Sequence, residues 1–233
     1  MPITSNARDV QAWVKGVNNK MPAVAQRAIN NTAFDVRTDL IAEIERVFDR
    51  PTRATLNAVR VKRATRRDLK AEIYIHDYFG KGVPPVKYLR AVIEGGQRKH
   101  KRFERWLIHA GVMGRNEYAV PGEGIKLNKF GNITAGQYAK IVADLGYVKP
   151  GGQQATSKVG RKRYFYDPNK RPRAIWKRVD RKGQKIVPAV VFVKSAQYKK
   201  MFRFYELANR LANEKLPRQY RRALAYELGR SRR

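Results

Sequence analysis

The sequence predicts an α+β fold from three observations. Helical periodicity marks both ends of the chain, a pair of alternating strands follows the first helices, and further short strands lie between residues 161 and 193. The order of elements is therefore helices, strands, a long insertion-like middle, strands and helices. The length of 233 residues and a hydrophobic content of 42% are sufficient for a real core.

Two helices forming a hairpin are predicted at the N-terminus. Val10, Trp13, Val14 and Val17 predict a short helix that ends between residues 16 and 19. A longer helix is predicted over 21–48, with Pro22 in its first turn and Pro51 as its stop. Its apolar face comprises Ala25, Ile29, Ala33, Val36, Leu40, Ile44 and Val47.

An antiparallel strand pair is predicted next. Leu69, Ala71, Ile73 and Ile75 alternate with polar residues, which is the pattern of a strand with one buried face. Val59 and Val61 supply a partner strand, and residues 64–67 are the predicted connection.

The middle of the chain alternates between loops and short helices. We predict a loop over 78–84 and a helix carrying Leu89 and Ile93 that Gly95 and Gly96 close. Thr134 is expected to cap a helix ending at Gly146, whereas residues 98–113 fit either a helix or a strand.

Beyond this middle part, residues 149–159 are predicted to form a mobile loop. A hairpin turn is expected at 180–183, between two of the later strands. Two separate helices, over 196–210 and 217–229, are predicted to close the chain.

Positive charge is the most unusual property of the sequence. Lys and Arg number 51 against 19 Asp and Glu, so the formal net charge is +32. Residues 1–50 hold seven cations and six anions, whereas residues 149–200 hold sixteen and two. The first segment is suited to packing on protein and the second to facing an anion, so we expect a polyanionic partner.

The candidate anion-facing residues fall into two groups. Cations interleave with aromatic rings in segments 98–106, 161–166 and 170–178, where Tyr164, Tyr166 and Trp176 either stack bases or face the core. The first group of predicted anion-facing residues lies in the strand pair and comprises Arg60, Lys62, Arg63, Arg66 and Arg67. The second group lies downstream and comprises Arg161, Lys162, Arg163, Lys170, Arg171, Arg173, Lys177, Arg178, Arg181, Lys182 and Lys185.

No pattern typical of an active site or a cofactor site is present. The chain has no cysteine, and His76, His100 and His109 lack the spacing of metal ligands. Asp68 and Glu72 are the best candidates for a nuclease site, but they lack a second acidic strand. Ser195 is expected to act as a helix cap. We therefore predict no enzyme, cofactor, metal or catalytic residue, and no membrane span.

Segments 26–40, 51–75 and 216–233 each carry a short motif. The first has A-x-N-x-x-A in a predicted helix, the second has R-x-x-L before the basic strand pair, and the third has L-P-x-x-x-x-x-A-L in a predicted helix. The positions concerned are Ala28, Asn30, Ala33, Arg53, Leu56, Leu216, Pro217, Ala223 and Leu224. With these motifs in this order, the chain resembles the minor tail protein Z family of tailed bacteriophages, which are tail-completion or neck proteins.

The resemblance implies a structural virion protein at the head–tail junction, made in the host cytoplasm. Residues 1–77 and 148–233 would form the family core, with 78–147 an inserted lobe of unknown role. The implied partners are portal, connector, tail-tube or terminator proteins, further copies in a ring, and packaged DNA. The predicted docking helix carries Ala28, Ile29, Ala33, Val36 and Leu40. The alternative function is non-sequence-specific binding of nucleic acid.

Overall fold

A computed structural model describes residues 7–77, 83–146, 162–180, 182, 184–194 and 197–229. The α+β prediction is confirmed. The helices are α1 (Ala7–Val47), α2 (Arg53–Leu56), α3 (Pro85–Glu94), α4 (Arg102–His109), α5 (Ala135–Asp144) and α6 (Phe204–Gly229). The strands are β1 (Val59–Lys62), β2 (Glu72–Ile75), β3 (Gly96–Gln97), β4 (Tyr118–Pro121), β5 (Tyr164–Tyr166), β6 (Ala174–Arg178), β7 (Ile186–Val193) and β8 (Gln197–Tyr198).

The chain forms two compact units. Unit 1 comprises the described residues of Met1–Ile93 and Lys200–Arg233, and unit 2 those of Glu94–Lys199. We find no described helix, including the 41 residues of α1, that is apolar enough over a sufficient length to span a bilayer.

Unit 1 is built on α1 and α6, which run antiparallel. Arg27 contacts Glu227, Asp35 contacts Gln219 and Asp39 contacts Lys215, so the partner's number falls as the number on α1 rises. Beside these polar contacts runs a buried stripe with helical spacing on α1. Its fully buried or nearly buried members are Val24, Ala28, Thr32, Val36, Leu40 and Ile44.

The predicted N-terminal helical hairpin and the two separate C-terminal helices are wrong, since α1 and α6 are each one continuous helix. Gly16 and Pro22 lie within α1, and Pro217 lies within α6. A proline inside a helix costs about 3 kcal/mol. Fully burying one large aliphatic side chain contributes about 1.5–3 kcal/mol, so the buried face of α1 offsets that cost.

The predicted strand pair is confirmed, with Val59 opposite Ile75 and Lys62 opposite Glu72. Val59 is fully buried against α1, together with Leu89 of α3 and Phe202. Leu69 does not belong to the buried face, because β2 begins only at Glu72 and the Leu69 side chain is 42% exposed. The connection between the strands is therefore longer than predicted and spans residues 63–71.

Unit 2 contains an antiparallel four-stranded sheet with the order β4-β7-β6-β5. Helices α4 and α5 contribute Leu107 and Ile141 to its core, beside Ile175 and Val190 of the sheet. Segment 98–113, which fitted either state, contains helix α4. The predicted cap of α5 is present, since Thr134 accepts from the backbone N–H of Gln137 at 3.3 Å.

The boundary between the units differs from the predicted division in two places. Residues 164–193 belong with unit 2, because β4 of the predicted lobe pairs with β7. Helix α3 belongs with unit 1, since Leu89, Val92 and Ile93 pack in the core of α1. The predicted loop at 149–159 and the Ser195 cap lie outside the described residues.

Unit 2 also encloses a buried ion pair. Glu104 is fully buried and accepts two hydrogen bonds from the Arg98 guanidinium. The backbone N–H groups of Lys101 and Ala119 donate to the same carboxylate at 2.6 and 2.8 Å. Burial alone raises the pKa of Glu104, but these four hydrogen bonds outweigh it and hold the pKa below its ordinary value. The carboxylate therefore ties α4 to the segment before it and to β4.

We predict that Glu104→Gln lowers the free energy of unfolding by about 3–5 kcal/mol, because Arg98 loses its buried counterion. The lowered pKa in the folded state gives Glu104 a stabilising contribution that is present above its ordinary value of 4.5 and is lost as the pH falls towards the folded-state pKa. Urea denaturation at neutral and acidic pH measures both effects. Glu123→Gln changes an exposed carboxylate of unit 2 and serves as the control. Equal stability of the two variants at neutral pH would contradict the role of this ion pair.

Candidate functional site

The first group of predicted anion-facing cations lies on the hairpin of unit 1 and is exposed. Arg60 and Lys62 lie on the outer face of β1, where Lys62 is opposite Glu72. Arg63, Arg66 and Arg67 belong to the connection, and their side chains are exposed. The hairpin therefore presents its cations to solvent, as its alternation predicts.

The start of this connection is fixed to α1 by one backbone unit. The Ala64 N–H donates to Asn30 Oδ1 at 2.8 Å, and its carbonyl accepts from Asn30 Nδ2 at 3.0 Å and from Gln26 Nε2 at 3.2 Å. Ala64 itself is only 2% exposed. A side-chain amide thus supplies the donor and the acceptor that a neighbouring strand would supply. The arginines on either side of Ala64 consequently project from a fixed backbone.

A turn stabilises the rest of the connection. The Thr65 N–H donates to the Asp68 carbonyl at 2.8 Å, and the Asp68 N–H donates to Thr65 Oγ1 at 3.0 Å. At the other end of β1, Arg37 Nε donates to the Val59 carbonyl at 2.9 Å. Asp68 therefore serves the turn that carries Arg66 and Arg67.

The second group of predicted cations, in unit 2, includes several that stabilise the unit itself. Lys177 Nζ donates to the Gly124 carbonyl at 2.7 Å, and burial lowers the pKa of Lys177. Arg173 pairs with Glu117 at 3.3 Å, and Arg178 lies 4.0 Å from the centre of the Phe165 ring. Arg171 donates to the Pro168 carbonyl at 2.8 Å.

These contacts correct the prediction for Arg173, Lys177 and Arg178, which are half-buried and used within the unit. Lys170 is also half-buried, and Lys162, Arg163, Lys182 and Lys185 are exposed. Arg161 and Arg181 lie outside the described residues. The predicted turn before β7 is supported by Asp180, which accepts from the N–H groups of Gln184 and Lys185, both at 3.1 Å.

The aromatic rings near these cations belong to the core. Tyr164 and Trp176 are 5% and 8% exposed, and Tyr166 packs on the same cluster. Of the two interpretations of these rings, the core interpretation is the one that the burial supports. In segment 98–106, Arg98 is paired with Glu104 and has a structural role, whereas Arg102 and Arg105 are exposed.

The predicted docking helix is wrong as a surface. Ala28, Val36 and Leu40 are fully buried, Ala33 is 5% exposed, and Ile29 is half-buried. Ala28 packs with Ala223 of α6, while Val36 and Leu40 belong to the core that includes β1 and α3. Their apolar stripe is thus satisfied within unit 1.

Polar side chains of α1, α6 and the hairpin connection line a groove in unit 1. It consists of two cavities of about 340 and 390 Å³ that share Arg27, Asn31 and Phe34. The first cavity is also lined by Arg63 and Arg66, and the second by Arg222 and Tyr226. We call this feature the α1–α6 groove.

Contacts within the α1–α6 groove separate its arginines into two kinds. Arg27 is held at 2.8 Å from Glu227, and its guanidinium lies 3.9 Å from the centre of the Tyr226 ring. Arg63 lies 4.9 Å from the centre of the Phe34 ring. Within the part of the chain that the structure describes, no carboxylate forms an ion pair with Arg63, Arg66 or Arg222. These three guanidinium groups are available to an external anion.

Sequence reasoning identified Arg63 and Arg66 but missed the members on the two helices. Arg27, Asn31 and Phe34 recur at spacings of four and three along α1, which is a second helical face beside the apolar stripe. Arg222 and Tyr226 show the same spacing on α6. This spacing could have indicated a polar face, but no local pattern places the faces of two helices next to each other.

The candidate acidic and histidine residues do not form a metal site. Glu72 pairs with Lys70 at 3.1 Å, which holds the pKa of Glu72 below its ordinary value. His100 stacks on Tyr118 with ring centres 4.8 Å apart. In the described ranges there is no group of three or more His, Cys, Asp or Glu residues that could hold a metal ion.

Comparison of the chain with protein-family models, with curated proteins and with solved structures found no match. The family resemblance given above therefore stays a prediction, which depends on the residues that carry it.

We predict that Asn30→Ala lowers the free energy of unfolding by about 2 kcal/mol, since it removes two hydrogen bonds worth about 1 kcal/mol each. Urea denaturation followed by circular dichroism measures the change. The neighbouring Asn31 is exposed, so Asn31→Ala is the matched control, with an expected change within about 0.5 kcal/mol. An Asn30→Ala variant as stable as the control would show that the connection is not held by this amide.

Proposed function

We propose that the chain is a structural virion protein of a tailed bacteriophage, a tail-completion or neck component at the head–tail junction. In this role it docks on portal, connector or tail proteins and assembles with further copies of itself into a ring. Its exposed cations then face packaged DNA or acidic neighbouring proteins.

The proximity of the three family-like segments is the observation that carries this proposal. Segment 26–40 lies on α1, segment 51–75 contains the hairpin, and the described part of segment 216–233 lies on α6. Asn30 of the first segment bonds to Ala64 of the second, and Arg27 of the first pairs with Glu227 of the third. Segments that resembled the family by chance, at three places far apart in the sequence, would not be expected to contact one another in one compact unit. Their contact therefore supports a common structural origin.

Several positions that carry the resemblance have structural roles in unit 1. Ala28 and Ala223 are almost fully buried where α1 meets α6, where small side chains permit close packing. Asn30 fixes the connection, and Leu56 packs on the core that includes Val59. These four positions therefore contribute to the packing of unit 1, whereas Leu216 is 39% exposed. In this proposal unit 2 is an insertion between α3 and α6.

Electrostatics is consistent with a polyanionic neighbour. Copies of a chain with a net charge of +32 repel one another, and a ring brings them close. At 0.1 M salt, screening weakens this repulsion only between charges that are more than about 10 Å apart. Closer charges on adjacent copies still repel one another, so the ring needs an anion between or beside the copies. DNA in the lumen of the ring or acidic ring proteins would supply it.

Non-sequence-specific nucleic-acid binding outside the virion is the second candidate, and the free guanidinium groups of the α1–α6 groove favour it. Location separates the two functions. A fixed copy number in purified particles supports the virion component, whereas presence only in extracts of infected cells supports the alternative.

We predict that deleting the gene from its phage leaves packaged heads but abolishes joined, infectious virions. The reason is that a completion protein acts after packaging, on the interface that the tail must recognise. Electron microscopy of the particles and plaque counts measure the outcome, and the intact gene supplied in trans is the control. Plaque counts that stay at the wild-type level after deletion would refute the proposed function.

A further inference from the structure

We propose that the α1–α6 groove is a binding site for the phosphate backbone of double-stranded DNA, with Arg63 and Arg66 as the principal contacts. The choice of DNA as the ligand rests on the function proposed above. The site itself rests on the geometry of unit 1.

Free cationic charge is the first reason for this assignment. Arg27 and Glu227 neutralise each other, and Asp35 is bonded to Gln219 at 2.6 Å. The guanidinium groups of Arg63, Arg66 and Arg222 have no ion-pair partner among the described residues. A guanidinium presents a planar set of N–H donors that matches two oxygens of a phosphate.

A fixed backbone is the second reason. The three hydrogen bonds to Ala64, together with the turn between Thr65 and Asp68, hold the segment that carries Arg63 and Arg66. A cation presented on a fixed backbone loses less conformational entropy on binding than one on a free loop. Asn30 also lines the groove, but its amide is bonded to the Ala64 backbone, so it is a positioning residue for the site.

The way in which the arginines use the aromatic rings favours duplex DNA over other polyanions. Single-stranded nucleic acid is typically bound by stacking its bases on exposed rings. In the α1–α6 groove the Arg63 guanidinium lies over the half-buried Phe34 ring, and the Arg27 guanidinium lies over one face of the Tyr226 ring, a residue that is 48% exposed. Each guanidinium thus occupies a ring face on which a base, or an apolar side chain of an acidic peptide, would pack. This arrangement suits a backbone of phosphates that needs no base contact.

Fluorescence anisotropy with a labelled short duplex of arbitrary sequence, titrated with the full chain at several salt concentrations, tests the assignment. We expect the Arg63→Gln/Arg66→Gln double variant to bind severalfold more weakly. Its slope of log K against log salt should be about 2 units shallower, since two phosphate contacts are lost. Arg102→Gln/Arg105→Gln removes the same net charge from exposed positions of α4 and should leave the slope unchanged.

A second variant keeps the charge and disturbs only the position. Asn30→Ala should also weaken duplex binding, although it leaves every cation in place. Asn30→Gln should bind the duplex more tightly than Asn30→Ala but more weakly than the wild-type chain. Circular dichroism melts identify any variant that is unfolded at the assay temperature. If the double arginine variant is unfolded, the single changes Arg63→Gln and Arg66→Gln replace it.

The outcomes that overturn the site are distinct. Equal losses in the two double arginine variants would mean that DNA binds to diffuse charge, with no particular site. Tighter binding of a single strand than of the duplex would contradict phosphate recognition without stacking. Binding of a polyglutamate peptide but not of DNA, lost in R63Q/R66Q, would assign the groove to an acidic protein instead. None of these results depends on infectivity, so the site and the virion role can fail separately.

Discussion

The antiparallel packing of α1 against α6 is the interaction on which unit 1 depends, because it joins the two ends of the chain. Ala28 and Ala223 leave space for the helices to approach, and Val24 fills the seam beside them. Polar pairs such as Arg27 with Glu227 and Lys215 with Asp39 fix the register along its length. Everything between α3 and α6 must consequently leave this unit and return to it.

The return is secured by hydrogen bonds within each unit. In unit 1 the Val92 carbonyl accepts from the N–H groups of Met201 and Phe202 at 3.0 and 3.3 Å, so the outgoing and incoming segments meet. In unit 2 the first and last strands, β3 and β8, pair with each other, and Gly96 lies opposite Tyr198. Both sides of the insertion are thus closed.

Much of this fold follows from local sequence, and its departures have identifiable causes. The alternation of Ile73 and Ile75, the capping residue Thr134 and the glycines after α3 each predicted an element that the structure contains. The predicted helix boundaries at Pro22 and Pro217 are wrong because the free-energy cost of a proline arises in one turn, whereas the packing that offsets it is spread along the whole helix. The groove could be predicted only in part: Arg63 and Arg66 are visible in a basic run, but Arg222 joins the groove only because the fold brings α6 beside α1.

The abundance of cations makes their partners more informative than their number. With 51 Lys and Arg against 19 Asp and Glu, the cations outnumber the carboxylates by 32, so many cations have no carboxylate of their own. Several donate instead to backbone carbonyls, as Arg37 does to Val59 and Lys177 to Gly124, and others cover rings, as Arg178 covers Phe165. Through such contacts these cations stabilise the fold. A cation that no carboxylate neutralises and that sits on a fixed backbone is therefore a better mark of a binding surface than a dense basic run. By that criterion the connection held by Asn30 ranks above the basic strands downstream. Its backbone is held by hydrogen bonds, and Arg63 and Arg66 form no ion pair among the described residues, although Arg63 also lies over the Phe34 ring.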